Sequence, residues 1–150
     1  SKEYVSILKI EILRLLNQKV SNKNKVEELT NLLMSLIPEE GKVILTFSHG
    51  DLQPGNIWIE NGTEKIYIID WESWGMRSTW YDKATLFQKL RPGDIQEYLS
   101  GRELDLESVV VLLEDLVFHL HELNSLPANF GEEQFEKYCD EIIHWLKKGE

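Results

Sequence analysis

The sequence predicts an α+β chain, mostly helical, with a small β-hairpin element set between two groups of helices. Three observations carry this. Up to residue 37 the apolar side chains recur at helical spacing. Residues 43–70 change to short, β-branched apolar runs separated by turn pairs. From Asp82 onward the helical spacing returns. With 150 residues the chain has the length of one ordinary domain, so a single domain over 1–150 is expected, its β element at about 43–72.

The first helix is expected over about 4–18, where Val5, Leu8, Ile12, Leu15 and Leu16 form one apolar stripe. The second is expected over about 23–37. Asn22 or Asn24 can cap it, Val26, Leu29, Leu33, Leu36 and Ile37 make its stripe, and Pro38 and Gly41 end it. Val43-Ile44-Leu45-Thr46-Phe47 then reads as a buried strand. Ile57-Trp58-Ile59 and Ile66-Tyr67-Ile68-Ile69 read as two more strands, joined through the tight-turn pair Asn61-Gly62. Asp82 can cap a short helix through Leu90. Pro92-Gly93 marks a turn, with a short helix to Leu99. Asp105 can cap a long helix to about Leu123, apolar on most sides and therefore central. The last helix spans about 132–147, with Phe135, Tyr138, Ile142, Ile143 and Leu146 inward.

Apolar residues make up 42% of the chain and charged residues 28%, which suits a packed core and argues against disorder. Against 26 acidic side chains stand 16 Lys and Arg, a net charge of −10. Nucleic acid and anionic membrane surfaces demand a basic patch, so neither is expected as a partner. A cationic small molecule suits this field; the alternative is that the acidity only maintains solubility. The single cysteine, Cys139, sits in a helical pattern as a core thiol and excludes an intrachain disulfide. With no run able to span a bilayer and no charged-then-apolar leader, a cytoplasmic setting is expected. His119 and His121, two apart on one helix, point to different faces and do not form a metal pair.

The chemistry concentrates in His49-Gly50-Asp51-Leu52-Gln53-Pro54-Gly55-Asn56 and in Ile68-Ile69-Asp70-Trp71-Glu72. Asp51 and Asn56 flank a Pro-Gly turn between two strands, and Asp70 closes the third strand across the hairpin. Strand ends joined in this way can bring the three side chains together. A free carboxylate facing an Asp and Asn pair makes a Mg²⁺ site with an adjacent base, because Mg²⁺ takes hard oxygen ligands and completes its shell with water and phosphate. Phosphoryl transfer needs positioning and charge neutralisation more than covalent help. Each residue also has a plainer explanation: a turn residue for Asp51, an Asx-turn for Asn56, a strand-end cap for Asp70 and an N-cap for Asp82.

His-Gly-Asp-Leu-x-Pro-Gly-Asn followed by Ile-Asp-Trp-Glu resembles the catalytic loop of the aminoglycoside phosphotransferase and choline kinase-like family. Trp80-Tyr81-Asp82-Lys83-Ala84 is similar to that family's Tyr-Asp-Leu-Ala segment. The likeness covers about residues 48–87 and implies a protein kinase-like C-terminal lobe. By resemblance, Asp51 orients and deprotonates an acceptor hydroxyl, Asn56 and Asp70 hold Mg²⁺, His49 supports the loop and Asp82 braces it. Glu72, Trp74 and Trp80 are candidate substrate contacts, since the family uses aromatic side chains around cationic amines; core packing is the plainer use of each Trp. Gln53 stands where many members have His. Gly50 replaces the Arg of protein kinases, and no Ala-Pro-Glu follows Asp70-Trp71-Glu72, which argues against a protein kinase.

Upstream of residue 48 there is no glycine-rich phosphate loop, no strand Lys and no helix Glu to hold it. The expected lobe that grips ATP is thus absent from this sequence, and an N-terminal lobe in cis is the expected partner. Two readings follow. One is the catalytic-loop portion of an ATP- and Mg²⁺-dependent kinase acting on a hydroxyl of an amine-bearing metabolite or antibiotic, inactive by itself. The other is a non-catalytic kinase-like binding or regulatory module.

Overall fold

The structure, a computed structural model, describes residues 2–16, 23–90, 104–127 and 130–148. Its elements are α1 (Lys2–Leu16), α2 (Lys23–Ser35), β1 (Leu45–Ser48), a 3-10 turn (Pro54–Asn56), β2 (Ile57–Ile59), β3 (Ile66–Ile68), β4 (Gly75–Ser78), α3 (Tyr81–Leu90), α4 (Leu106–Ser125) and α5 (Glu132–Lys148). The chain is thus α+β, mostly helical, with small antiparallel sheets. It divides into two compact units, Ser1–Val43 with Leu104–Glu150, and Ile44–Glu103. The expected turn at Pro92-Gly93, the helix to Leu99 and a cap by Asn22 fall outside the described residues.

In the first unit the apolar stripes of four helices meet. Ile12 and Leu15 of α1, Leu29 and Leu33 of α2, Leu112, Leu113, Leu116 and Leu120 of α4 and Ile142 of α5 are all essentially inaccessible to solvent. Side-chain burial of this kind stabilises by roughly 1.5–3 kcal/mol per large aliphatic residue and outweighs local propensity. Polar links fix the directions of the helices. Tyr4 Oη donates to Glu114 Oε1 at 2.9 Å, His121 Nε2 lies 3.2 Å from Glu11 Oε1, and Asn124 Nδ2 donates to Leu15 O at 3.2 Å. The sequence offset across these contacts stays near 110, so α1 and α4 run in the same direction. Lys25–Asp140 and Lys147–Glu28, both at 2.8 Å, join α2 to α5 at the surface.

The central helix begins as expected, with Asp105 accepting from Ser108 N at 2.8 Å. It also buries two carboxylates that its apolar pattern concealed, Glu114 and Asp115. Tyr138 Oη donates to Asp115 Oδ2 at 2.6 Å, so the tyrosine expected to point inward does so with a polar end to satisfy. The expectations for α2 are corrected at both ends. Asn24 is its second residue rather than its cap, and the helix stops at Ser35. Leu36 and Ile37 donate back to Leu33 O and Met34 O in a tightened last turn, which leaves Leu36 exposed and off the stripe.

The second unit holds two separate two-stranded antiparallel sheets, where the sequence suggested one β element. β1 pairs with β4, from Leu45 opposite Ser78 to Ser48 opposite Gly75. The strand expected over 43–47 therefore starts later and reaches Ser48, because its partner sets its extent. β2 and β3 form the expected hairpin, with Ile57 opposite Ile68 and Ile59 opposite Ile66. Glu60 N donates to Lys65 O at 2.9 Å, so the connection is a four-residue loop rather than a two-residue turn. Among the described residues no helix is long and apolar enough to cross a membrane.

Candidate active site

The loop between β1 and the 3-10 turn carries His49, Gly50 and Asp51, and each is held by a different device. Gly50 has φ +88, and a Cβ on it would lie 2.1 Å from Ser73 O, so both the backbone conformation and the close approach demand glycine. Asp82, the second residue of α3, accepts His49 N at 2.7 Å through Oδ2 and Gly50 N at 3.0 Å through Oδ1. The cap expected of Asp82 is not what its carboxylate does. The helix opens on the Ala84 N to Trp80 O bond, and Asp82 reaches out to the loop instead.

The His49 ring is buried and uses both nitrogens. Nε2 lies 2.7 Å from Ile69 O, and Nδ1 accepts Asp51 N at 3.1 Å. A carbonyl only accepts and an amide only donates, so these partners select the Nε2–H tautomer. The same ring thereby ties the backbone of Asp51 to the residue before Asp70. Trp71 packs edge-on against it at 4.6 Å and donates Nε1–H to Ile68 O at 2.7 Å.

Asp51 and Asn56 are in direct contact. Asn56 Nδ2 donates to Asp51 O at 2.9 Å and to Asp51 Oδ2 at 3.3 Å. Gln53 Nε2 adds a bond to Oδ2 at 3.2 Å. Pro54 starts the 3-10 turn, Asn56 N closes it on Gln53 O at 2.9 Å, and Asn56 is left buried. Asn56 O in turn accepts Ile69 N at 2.9 Å, which extends the hairpin pairing and sets Asp70 one residue beyond the pair. Asp70 is exposed with φ 61, a left-handed conformation that Asp tolerates better than most residues.

The donor set fits a hard cation. Asn56 Nδ2 donates twice to Asp51, which leaves Oδ1 as the side-chain acceptor that could meet a cation, and the backbone of Asp70 lies one residue beyond the Asn56–Ile69 pair. Among the described residues no group of three or more His, Cys, Asp and Glu side chains gathers as a metal centre. An oxygen set of carboxylate and amide, completed by water and phosphate, is the kind that Mg²⁺ accepts.

The aromatic residues after Asp70 are largely engaged within the protein. Phe47 stacks on Trp71 at 5.9 Å and on Trp74 at 5.4 Å, and Lys83 Nζ lies 4.6 Å over the Trp80 ring. Trp74 remains mostly exposed, and Glu72 is exposed. Sequence reasoning noted Gln53 only as a departure from the family's His and did not single out Arg77. Arg77 Nη2 donates to Ser73 O at 3.0 Å and the guanidinium lies 4.8 Å over the Tyr81 ring, while Nη1 is buried with no acceptor among the described residues. An Arg on a short strand gives no sequence signal of such a place.

A family model for choline/ethanolamine kinase matches residues 3–90, more than half of the chain, and the chain belongs to that family. No curated protein sequence and no solved structure matches it. The matched segment runs from α1 to the end of α3 and contains His49, Asp51, Asn56, Asp70 and Asp82. The resemblance read from the catalytic-loop residues and the family match agree, and the family is one of small-molecule kinases.

Proposed function

We propose that this chain carries the catalytic loop of an ATP-dependent kinase that phosphorylates a hydroxyl on a small, amine-bearing acceptor. The observation that supports it most is the interlock of Asp51, Asn56 and the Ile69–Asp70 strand end, held by His49 and Asp82. Asp51 is the base. Its Oδ2 takes the amide donors of Gln53 and Asn56, which leaves Oδ1 to the acceptor. The acceptor hydroxyl gives its proton to Asp51 while its oxygen takes the γ-phosphoryl group and ADP leaves. Asn56 Oδ1 and Asp70 would hold Mg²⁺, which when bound supplies neutralising charge to the phosphate oxygens. His49 and Asp82 fix the loop, and positioning is most of what this reaction asks of a protein.

A positively charged acceptor follows from the net charge of −10 and from Glu72 and Trp74 near the metal-binding carboxylate. The grip on the adenosine and phosphates belongs to a further lobe in cis, and a cytoplasmic setting supplies ATP. The test is a panel of choline, ethanolamine, aminoglycosides and neutral sugars, assayed with the full-length protein and Mg-ATP. Transfer to the amines is expected. Transfer only to neutral sugars removes the charge argument, and no transfer at all favours the non-catalytic module.

A further inference from the structure

The two carboxylates of the candidate site stand on different chain segments, Asp51 on the loop after β1 and Asp70 at the end of β3. Arg77, on β4, touches both segments. Its Nη2 donates to Ser73 O at 3.0 Å, in the turn that follows Asp70. Its Nη1 lies 2.8 Å from where a Cβ on Gly50 would be and 3.3 Å from where one on Gly75 would be. The guanidinium therefore fills a space that exists because two residues lack side chains, and Tyr81 of α3 covers it at 4.8 Å.

The arrangement is demanding. Nη1 is buried without an acceptor among the described residues, a burial that desolvation opposes and that the surrounding packing maintains. Gly50 is fixed from the other side by its bond to Asp82 Oδ1 at 3.0 Å. The loop before Asp51 is thus held between an anion that takes its N–H and a planar cation against its Cα.

We propose that Arg77 is a positioning residue that sets the spacing between Asp51 and Asp70 by clamping the turn after Asp70 against Gly50. This rests on the kinase reading for its purpose, but the clamp is measurable without turnover. The guanidinium suits the task because its rigid plane meets the Ser73 carbonyl, the Gly50 backbone and the Tyr81 ring at once, which an ammonium cannot do.

The experiment follows amide hydrogen exchange by NMR in the 150-residue chain, together with Mn²⁺ binding as a stand-in for Mg²⁺. Two variants are compared with the parent: Arg77→Ala, and Gly75→Ala, which keeps the arginine but crowds Nη1. Both are expected to speed exchange at the His49 and Gly50 amides ten-fold or more, with amides of α1 and α4 within two-fold, and to weaken Mn²⁺ binding at least five-fold. Arg77→Lys restores part of the protection through Ser73 O. Unchanged exchange at Gly50 in both variants overturns the clamp, as does a uniform rise across all amides, which would mark a general loss of stability. A parent chain that binds no Mn²⁺ instead counts against the metal site of the kinase reading, while the exchange data still decide the role of Arg77.

Discussion

Asp82 and His49 are 33 residues apart in sequence, and the Asp82 carboxylate accepts the His49 amide at 2.7 Å while its other oxygen takes Gly50 N at 3.0 Å. One side chain thereby satisfies two successive backbone donors of the loop, which have no strand partner there. Bonds from amides to a charged acceptor are among the stronger ones, about 1.5–3 kcal/mol each before losses elsewhere.

Asp82→Ala is accordingly expected to cost about 2–4 kcal/mol of stability, and Asp82→Asn about half of that, because an amide side chain accepts through one oxygen only. Urea unfolding followed by tryptophan fluorescence reads this directly, with Trp71, Trp74 and Trp80 all in the same unit. An Asp82→Ala midpoint equal to that of the parent would remove the brace.

Asp51→Asn tests the base. The substitution preserves shape, but an amide cannot take up a proton, so turnover by the full-length protein should fall about 10²-fold or more while acceptor KM moves little. Parallel loss in kcat and KM would point to a binding contact instead. Since Gln53 donates to Oδ2 and not to the oxygen proposed to take the proton, Gln53→Ala should have a much smaller effect on kcat.

The candidate loop stood out in the sequence because the proposed chemistry needs particular residue types at fixed spacing, and no packing alternative dictates Asp51, Asn56 and Asp70 together. The helices were legible from their stripes, and the Asp105 cap from its residue type. What escaped depends on partners distant in the chain. Gly75-Met76-Arg77-Ser78 has neither β-branching nor alternation and becomes a strand only because β1 lies beside it. Glu114 and Asp115 look like a wet edge of α4, and are buried because the hydroxyls of Tyr4 and Tyr138 come to them.

The β2–β3 hairpin should make the isolated chain sticky. Trp58 and Tyr67 are exposed on one face of a two-stranded ribbon and Ile59 and Ile66 on the other, and exposed apolar surface of this kind binds hydrophobic dyes and promotes association. Trp58→Ser with Ile59→Thr is expected to lower dye fluorescence and light scattering several-fold. Changes at exposed positions mostly shift stability by about 0.5 kcal/mol or less, so the unfolding midpoint should hardly move. Unaltered dye binding in the double variant would place the exposed apolar surface elsewhere.

The final expectation concerns alkaline pH and the first unit. Burial pushes the Cys139 thiol from its ordinary 9.0 up to about 12, and burial with the Asp115 carboxylate beside it pushes the Tyr138 phenol well above its ordinary 10.0. Both groups are neutral when protonated, and the folded state holds their protons more tightly than the unfolded chain. The stability they contribute is therefore complete below about pH 9. It is lost as pH rises, first through the thiol and then, above about pH 10, through the phenol as well. Each group adds a slope of at most about 1.4 kcal/mol per pH unit between its unfolded and folded values. Urea midpoints measured from pH 8 to 11 should fall with increasing steepness, and Tyr138→Phe, which removes the second contribution, should flatten the curve above pH 10 at a cost near neutral pH from losing the Tyr138 hydrogen bond to the buried Asp115. Disulfide-reagent labelling of Cys139 should track global unfolding and stay slow at pH 8. Rapid labelling of the folded protein at that pH would show that the thiol is not shielded by the packing of α5.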